Sequence, residues 1–425
     1  MAKLGWLLRL AAAVFAGAVW RRLRRIARRP PRIWHGHLPL HMTRDQVLAD
    51  RLAGFPSRSV TGSASVLKYA IVTASDFDVV LAGEGVAPDT LHWRAMIDLH
   101  LHADIWNAHF DCLFYPASQR RRNDLALRLV RLAGIRIIVS PHGSDIVQIV
   151  PGKTRYDWIG RMQRDYPSWD FAAQTPVSRM RIELFGRHAS FIIAGDPATA
   201  RLIGRHDLLF KYFPVTIPEK PSVPAGAPAK PRILHAPNHR FVKGTDFLLE
   251  AVERVQAAGF ECELVLVEGV PRPEAVEIYR TADVIADQFC IGSYGAFALE
   301  SLALGKPVLV YLDPEDLATT SRGLPLVNTN AENLTRVLAA MLAVPELRTR
   351  LGEAGRAAVA RQRSPEAIGE VWGRIYRHVW WGEPLRLEEQ GSPRSPSEDP
   401  AEEEFWPVEV GDLMERIREA VARLR

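Results

Sequence analysis

Apolar runs of four to six residues alternate with helix-type patterns between residues 232 and 312, and this alternation constrains the fold more than any other feature of the chain. In the helix-type stretches, apolar residues recur every three or four positions. The predicted strands are Ile233–Ala236, Cys262–Val267, Val284–Asp287 and Val308–Leu312, and the predicted helices are Thr245–Ala258, Pro273–Thr281 and Ala296–Leu304. Strands that alternate with helices form a parallel sheet covered by helices. We therefore expect a Rossmann-like α/β domain here.

The first half of the chain carries a weaker version of the same pattern. The predicted strands are Arg32–Gly36, Tyr69–Thr73, Val79–Ala82, Phe110–Tyr115, Ile135–Val139 and Ser190–Ala194, and the predicted helices are Thr43–Leu52 and Asp124–Leu132. A chain of 425 residues is too long for one ordinary core. The sequence therefore predicts an α/β protein with two Rossmann-like parallel-sheet domains that face a central crevice.

Composition marks the limits of these domains. Prolines recur between residues 214 and 231, which indicates a stiff linker. Near residue 380, Trp372, Tyr376 and Trp380 share one stripe of a predicted helix and are expected to pack into a core. The predicted division is a membrane-associating segment at 1–30, a Rossmann-like domain at 31–215, a linker at 216–231, a second Rossmann-like domain at 232–365, a closing helix at 366–382, and an acidic flexible tail with a short amphipathic helix at 383–425.

The N-terminal segment suits a membrane surface. Residues 4–20 are apolar apart from Arg9 and run into a dense arginine cluster between residues 21 and 29. A spanning helix needs about 20 apolar residues, and a central arginine costs roughly 2.5–3.5 kcal/mol. The stretch fits the membrane interface better, where polybasic segments add about 1 kcal/mol per charge on anionic lipid. We expect a cytoplasmic protein attached peripherally to the inner membrane face or anchored there by its N-terminus. A solvated basic extension without a partner is the alternative.

Charge and cysteine content exclude several other classes. The net charge of +5 comes from the N-terminal cluster, whereas the segment after Gly382 is acidic. Because the body of the chain has no basic patch interleaved with aromatic residues, we expect no nucleic-acid partner. Cys112, Cys262 and Cys290 are too far apart for a disulfide framework or a zinc site, which indicates a reducing compartment.

Two polar loops follow predicted strands of the second half and lead into helices. The first contains Arg240 and Lys243, and the second is Gly292-Ser293-Tyr294-Gly295, which is followed by Glu300. Backbone N–H groups at a helix start, together with a lysine, suit a diphosphate, and a carboxylate beside them suits ribose hydroxyls. A solvent-exposed basic turn and an ordinary helix acid are the alternatives to this interpretation.

The first half offers a separate set of candidate residues. His142 and Asp145 lie in the loop after the predicted strand Ile135–Val139, where ligand groups of open α/β sheets are found. His109, placed before the predicted strand Phe110–Tyr115, is a further candidate, and a structural histidine is the alternative there.

A rival interpretation is a metal site at residues 98–109. Asp98, His100 and His102, with Asp104 and His109 further on, resemble the histidine-bearing strand of metal-dependent amidohydrolases. Alternating histidines on a strand point the same way, as a metal requires. That architecture would be a (β/α)8 barrel with further ligands on later strands. The later histidines do not fall on such strands, and the proline-rich linker divides the chain.

The second half resembles the C-terminal domain of GT-B glycosyltransferases of the retaining, nucleotide-sugar-dependent group 1 family. The matching elements are Lys243-Gly-Thr245, Ala282-Asp283-Val284 and the run from Gly295 to Val308 that contains Glu300. His142-Gly-Ser-Asp145 matches the first half of these enzymes more weakly. The resemblance extends over residues 32–381.

This resemblance implies roles for individual residues. Lys243 matches the lysine that holds the diphosphate, and Glu300 matches the second glutamate of the family's Glu-x7-Glu motif, which holds the ribose. Arg240 would stand in for the family's arginine, which lies further upstream. The first glutamate of the motif would fall at Gly292 and is therefore missing. Asp287 and Gln288 are expected to take its place beside the donor sugar.

The resemblance also implies the reaction. The donor domain would be 232–365 and the acceptor domain 31–215, with no bound metal or cofactor. The expected activity is transfer of a sugar from a nucleotide diphosphate-sugar to a lipid-linked saccharide or cell-surface polysaccharide at the membrane, with His142 or His109 beside the reacting sugar. The alternatives are a catalytically silent nucleotide-sugar-binding protein, a nucleotide-sugar epimerase and the metal-dependent hydrolase.

Overall fold

The computed structural model describes residues 2–37, 42–63, 77–82, 88–146, 148, 155–168, 170–211, 213–218, 230–387 and 397–424. These residues form two compact units, each built from three stretches of chain. The first unit comprises Met1–Ile149, Asp170–Pro214 and Pro365–Glu388, and the second comprises Val150–Trp169, Val215–Ser364 and Glu389–Arg425. The predicted strand Tyr69–Thr73 and residues 219–229 of the predicted linker lie outside the described residues.

Helices and strands alternate along most of the chain. The strands are β1 Ile33–His37, β2 Ser57–Ser63, β3 Val79–Ala82, β4 Ile105–His109, β5 Arg136–Ser140, β6 Phe191–Ala194, β7 Leu208–Leu209, β8 Arg232–His235, β9 Glu263–Leu266, β10 Val284–Gln288, β11 Val308–Val310 and β12 Val327–Asn328. The helices are α1 Ala2–Ile26, α2 Met42–Leu52, α3 Pro88–His102, α4 Arg120–Leu132, α5 Trp158–Asp165, α6 Phe171–His188, α7 Pro197–Ile203, α8 Arg240–Lys243, α9 Thr245–Ala257, α10 Arg272–Arg280, α11 Ala296–Ala303, α12 Pro314–Ala318, α13 Leu334–Ala343, α14 Pro345–Arg363, α15 Pro365–Trp381 and α16 Met414–Ala422.

Each unit contains one parallel sheet. The first sheet has seven strands in the order β3-β2-β1-β4-β5-β6-β7, and the second has five in the order β12-β11-β10-β8-β9. Adjacent strands are parallel throughout, as in the pairing of Ile105 with Arg136 and of Ile285 with Leu234. Because parallel strands end at the same edge, the loops after β8, β10 and β11 lie next to one another. The predicted α/β fold with two Rossmann-like parallel sheets is confirmed.

The prediction is wrong between residues 98 and 115. Residues 98–102 end helix α3, and the strand is β4 rather than Phe110–Tyr115. Phe110, Cys112 and Phe114 have the alternating pattern of a strand although they belong to a turn region. The pattern arises because all three side chains are buried in the core of the first unit. His109 is therefore the last residue of a strand and not a residue before one.

Helix α15 closes the first unit, although the stretch that precedes it, Val215–Ser364, belongs to the second unit. It packs against α2, and the expected stripe of Trp372, Tyr376 and Trp380 is buried there. The Tyr376 hydroxyl donates to Asp50 Oδ1 at 3.0 Å. Cys112, Cys262 and Cys290 are all described and buried, and no disulfide joins them.

Two chain segments lie where the predicted division did not place them. The described residues 155–168 belong to the second unit instead of the domain at 31–215. The tail is not flexible over residues 397–424, because Phe405, Trp406 and Ile417 are buried in the core of the second unit. The short helix expected in the tail is present as α16.

Helix α1 packs against α3 along one side. Leu10 and Ala13 are buried there, and a Cβ on Gly17 would lie 2.1 Å from the His100 carbonyl oxygen, so only glycine permits this approach. The Arg21 side chain is 2% exposed and donates to the carbonyls of Ala133, His100 and Ala103 at 2.7, 2.7 and 2.9 Å. Helix α1 is therefore packed onto the first unit through the side that contains Leu10, Ala13, Gly17 and Arg21.

The other side of α1 is apolar and exposed. It presents Leu4, Leu7, Leu8, Phe15, Val19, Trp20, Leu23 and Ile26. By length and composition, Leu4–Ile26 is the one stretch among the described residues that could cross a membrane.

Arg21 is expected to hold α1 on the first unit. Replacing Arg21 with Met leaves three buried carbonyls without a donor, which should lower the free energy of unfolding by about 3 kcal/mol. Arg22→Met is the matched control because Arg22 is exposed on the same helix, and its effect should stay within about 0.5 kcal/mol. Urea denaturation measures both values. Equal effects of the two substitutions would contradict this role of Arg21.

Candidate functional site

Lys243 is held against the end of the central strand of the second sheet. Its Nζ donates to Asp287 Oδ1 at 2.9 Å and to Gln288 Oε1 at 3.1 Å, both at the end of β10. The Asp287 side chain is fully buried, whereas that of Lys243 is 15% exposed. Asp287 was expected beside the donor sugar, and in the structure its carboxylate is buried and paired with Lys243.

His235, at the end of β8, fixes the loop that carries Lys243. Its Nδ1 donates to the Ala286 carbonyl at 2.7 Å, and its Nε2 accepts from the Thr245 hydroxyl at 2.8 Å. Burial lowers the pKa of His235 to about 4, so the imidazole is neutral near pH 7. A neutral ring can make this donor–acceptor pair, which connects β8, β10 and the start of α9.

The segment 155–168 secures the same loop from the other side. Asp165 accepts from the backbone N–H groups of Phe241 and Val242 at 3.2 and 3.0 Å. Arg161 donates to the Phe241 carbonyl and to Asp246 Oδ1, both at 2.9 Å. The sequence analysis assigned no role to these residues, because their partners are about 80 positions away in the chain.

The Gly292–Gly295 loop follows β10 and leads into α11. The Ser293 hydroxyl donates to Asp316 Oδ2 at 2.6 Å, and the Tyr294 hydroxyl donates to the Thr320 carbonyl at 2.8 Å. Gln288 donates through Nε2 to the Ser293 carbonyl, so one side chain contacts both Lys243 and this loop. Because the Ser293 and Tyr294 side chains bond inward, the loop can offer a ligand mainly its backbone.

The structure leaves no room at Gly292 for the glutamate that the resemblance to group 1 enzymes would place there. Its φ is 84°, and an added Cβ would lie 2.3 Å from Asp313 Oδ2. Asp313 follows β11, donates its backbone N–H to the Gly292 carbonyl at 2.8 Å and accepts from the Tyr311 hydroxyl at 2.7 Å. A carboxylate is therefore present beside residue 292, but it comes from the neighbouring strand. The signal in the sequence was an aspartate directly after the predicted strand Val308–Leu312.

The remaining candidates of the second half are Arg240 and Glu300. Arg240 is exposed and donates through Nε to Glu268 Oε1 at 2.8 Å. Glu300 lies in the middle of α11, one helical turn after Gly295, and is partly exposed. Arg240 is thus engaged in a surface ion pair, and Glu300 is the less exposed of the two.

His142 and His109 meet at the carboxyl edge of the first sheet. His109 ends β4, His142 follows β5, and their ring centroids are 5.4 Å apart. His142 donates through Nε2 to Asp111 Oδ2 at 3.0 Å, and His109 donates through Nδ1 to the Ser140 carbonyl at 2.9 Å. Asp111 was missed because the end of β4 was predicted six residues too late.

The two histidines carry different charges. Burial alone would lower the pKa of His142, but the hydrogen bond to Asp111 and the negative charges of Asp145 and Asp111 outweigh it and raise the pKa to about 9. Burial and the positive charge of His142 lower the pKa of His109 to about 4. Near pH 7 the pair therefore consists of an imidazolium, His142, and a neutral imidazole, His109.

Asp145 supports His142 rather than facing a ligand. Its side chain accepts from the backbone N–H groups of Phe110, His142 and Gly143 at 3.1, 3.1 and 3.0 Å, and the residue is 1% exposed. Ligand atoms of Asp111, His142 and Asp145 lie within 4.8 Å of one another, so this group could hold a metal ion. Their hydrogen bonds to one another and to the backbone already satisfy most of these atoms.

The rival metal site at residues 98–109 is contradicted by the structure. His100 and His102 lie two positions apart on helix α3, where side chains point in different directions, and not on a strand. His100 is buried and its Nδ1 bonds to the Met96 carbonyl at 2.6 Å, whereas Asp104 is paired with Arg24 and Arg32. These residues cannot converge on one ion.

Solved structures with the same fold are glycosyltransferases. Sucrose-phosphate synthase from Thermosynechococcus elongatus superposes with a TM-score of 0.52 and 13% identity, over 84% of this chain and 100% of its own. Anabaena HepE, determined in complex with UDP, superposes with a TM-score of 0.50 and 11% identity, over 81% of this chain and 98% of its own. The chain thus has the GT-B fold. No protein-family model and no curated protein sequence matches it.

Asp111 is expected to keep His142 protonated. A proton NMR titration of the imidazoles, with His142→Gln to assign the resonance, should place the inflection of His142 near pH 9. Asp111→Asn removes both the hydrogen bond and the charge, and should lower that pKa by about 1 unit or more. Asp412→Asn, an exposed acid of the second unit, is the control and should leave it unchanged. A wild-type inflection near the ordinary value of 6.5 would contradict the assignment.

Proposed function

We propose that this protein is a glycosyltransferase that binds a nucleotide diphosphate-sugar at the carboxyl edge of its second sheet. One observation carries the proposal: Gln288 contacts both Lys243 and Ser293, and so joins the lysine to the loop that starts α11. A lysine beside a glycine-containing helix start suits a diphosphate. The GT-B fold supports the same ligand class, since HepE was determined with UDP.

In this reaction the bond between the anomeric carbon and the diphosphate oxygen breaks, and its electron pair stays on the diphosphate. The acceptor hydroxyl oxygen forms the new bond to the anomeric carbon, and the proton of that hydroxyl passes to the departing diphosphate. Lys243 and the backbone of Gly292–Gly295 stabilise the growing negative charge more in the transition state than in the bound donor. Asp287 keeps the Lys243 ammonium at this position before the donor arrives. Glu300 accepts from the ribose hydroxyls, and Arg240 contributes to phosphate binding. The resemblance of residues 295–308 to retaining enzymes supports retention of configuration as part of this proposal.

Asp313 replaces the missing first glutamate of the family motif in this proposal. The resemblance assigns that glutamate to the donor sugar, and the Asp313 carboxylate lies where the side chain of residue 292 would begin. Asp287 is buried and paired with Lys243. We therefore propose that Asp313, instead of Asp287, contacts the donor sugar.

The acceptor and the location complete the proposal. The His142 imidazolium and the neutral His109 belong to the unit that holds the acceptor in the family, and together they can donate to and accept from sugar hydroxyls. The acceptor is a lipid-linked saccharide or a cell-surface polysaccharide. Helix α1 has an exposed apolar side, and Arg22, Arg25, Arg28 and Arg29 lie on the same segment, which supports attachment to an anionic membrane surface. A spanning helix is disfavoured because the opposite side of α1 is docked on α3.

Donor binding tests the role of Lys243. Thermal shift of the full chain against UDP, GDP, ADP and dTDP should show stabilisation by one nucleoside diphosphate. The double variant Lys243→Met with Asp287→Asn should bind it about 10- to 100-fold more weakly, because charge-assisted contacts to the phosphates are lost. The second substitution avoids leaving the buried Asp287 charge unpaired.

Arg254→Ala is the matched control for this experiment, since Arg254 is an exposed cation on α9 that pairs with Glu250. It should leave the affinity unchanged. In Glu300→Ala, the preference for the ribonucleotide over its 2′,3′-dideoxy analogue should disappear. Absence of stabilisation by every nucleotide would overturn the proposal.

Turnover tests the role of Asp313. With the nucleotide sugar that stabilises the chain most, release of the nucleoside diphosphate by transfer to water should fall about 100-fold in Asp313→Asn, while affinity for the free nucleotide stays within about twofold. Glu315→Gln, an exposed acid two residues on, is the control and should behave as wild type. Wild-type turnover in Asp313→Asn would refute the assignment. Nucleotide binding without turnover in the wild type, on water or on saccharide acceptors, would identify a silent nucleotide-sugar-binding protein.

A further inference from the structure

A basic cavity lies at the other edge of the first sheet. Its volume is about 420 Å³, within the ~300–1,000 Å³ usual for small-molecule sites. Arg136 lines it at the start of β5, whereas His142 follows the end of the same strand. His188 lines it at the end of α6, just before β6. The cavity is therefore separate from the His142 cluster.

The permanently charged side chains that line this cavity are all arginines. Arg25, Arg131, Arg136, His188 and His378 line it, and none of the described residues that line it is acidic. Burial lowers the pKa of Arg136, and the nearby charges of Arg25 and Arg131 lower it further. Cations held this close repel one another, and an anion between them removes that repulsion.

Two buried nitrogen atoms of the cavity residues lack a partner. Arg136 Nε and His188 Nδ1 are both buried without a hydrogen bond. His188 is 5% exposed, and its Nε2 donates to Asp124 at 2.8 Å. When His188 is protonated, its Nδ1 is a donor as well, so both unpaired atoms can donate to an anion.

Helix ends explain only part of this arrangement. Cations are common at helix C-termini, where carbonyls are left over. Arg131 donates to the Arg187 carbonyl at 3.1 Å near the end of α6, and His378 donates to the Glu383 carbonyl at 2.7 Å beyond α15. Those bonds account for Arg131 and His378 but leave Arg136 Nε and His188 Nδ1 without an acceptor.

We propose that this cavity binds a phosphate group, with Arg136 and His188 as buried donors and Arg25 and Arg131 at its rim. The phosphate belongs either to an anionic lipid headgroup or to a soluble phosphorylated compound. Arg25 lies on α1 between Leu23 and Ile26, whose side chains are 54% and 74% exposed. A lipid whose acyl chains contact these apolar residues would bring its headgroup to Arg25.

The two sources are separated by two binding measurements on the full chain. Isothermal titration with inorganic phosphate and glycerol 3-phosphate detects a soluble ligand. Co-sedimentation with phosphatidylcholine vesicles, with and without phosphatidylglycerol, detects a lipid headgroup. In whichever of these two measurements the full chain binds, Arg136→Gln and His188→Gln should each weaken binding about tenfold or more.

Arg205→Gln is the matched control, because it removes one charge from an exposed arginine outside the cavity. It should change binding by less than about twofold. If Arg136→Gln fails to fold, Arg25→Gln removes an exposed rim cation from the same cavity and should weaken binding severalfold. Equal losses in the cavity variants and Arg205→Gln would show general surface electrostatics and overturn the proposal, as would no binding in either arm.

Discussion

The position of β10 in the second sheet determines the candidate site. Because β10 lies between β8 and β11, the three loops that follow these strands meet at one edge. Lys243 comes from the first loop, Gly292–Gly295 from the second and Asp313 from the third. The buried Asp287 at the end of β10 pairs with Lys243, and the backbone of Asp313 bonds to Gly292. Loss of this strand order would separate Lys243 and Asp313 from the Gly292–Gly295 loop.

Both units receive chain segments that sequence order would assign elsewhere. Residues 155–168 bring Arg161 and Asp165 to the loop that carries Lys243, while α15 returns to the first unit and bonds to Asp50 through Tyr376. The C-terminal residues 397–424 cover the core of the second unit. Glu398 of this segment pairs with Arg155 at 2.7 Å, so the tail also contacts the segment that borders the site.

The first unit combines three features with distinct chemistry. The His142–Asp111 pair at the carboxyl edge of the sheet holds a proton near pH 7 beside the neutral His109. The amino edge carries the arginine-lined cavity, which has no acid among its described lining residues. Helix α1 is docked through Arg21 and exposes its apolar side, which relates the cavity to the proposed membrane surface.

Local pattern in the sequence was sufficient to predict the two parallel sheets, the stripe of Trp372, Tyr376 and Trp380, and Lys243, Gly292–Gly295 and Glu300 as loop and helix residues at strand ends. Periodicity and turn residues act over a few positions, and these features depend on nothing more. Only the tertiary structure decided the identity of the carboxylate beside Gly292, the role of Asp111, and the burial of Asp145 and Asp287. These depend on which strands are neighbours and on contacts across tens of residues. The alternation of Phe110, Cys112 and Phe114 predicted a strand wrongly, because buried residues of a turn and buried residues of a strand can show the same alternating pattern.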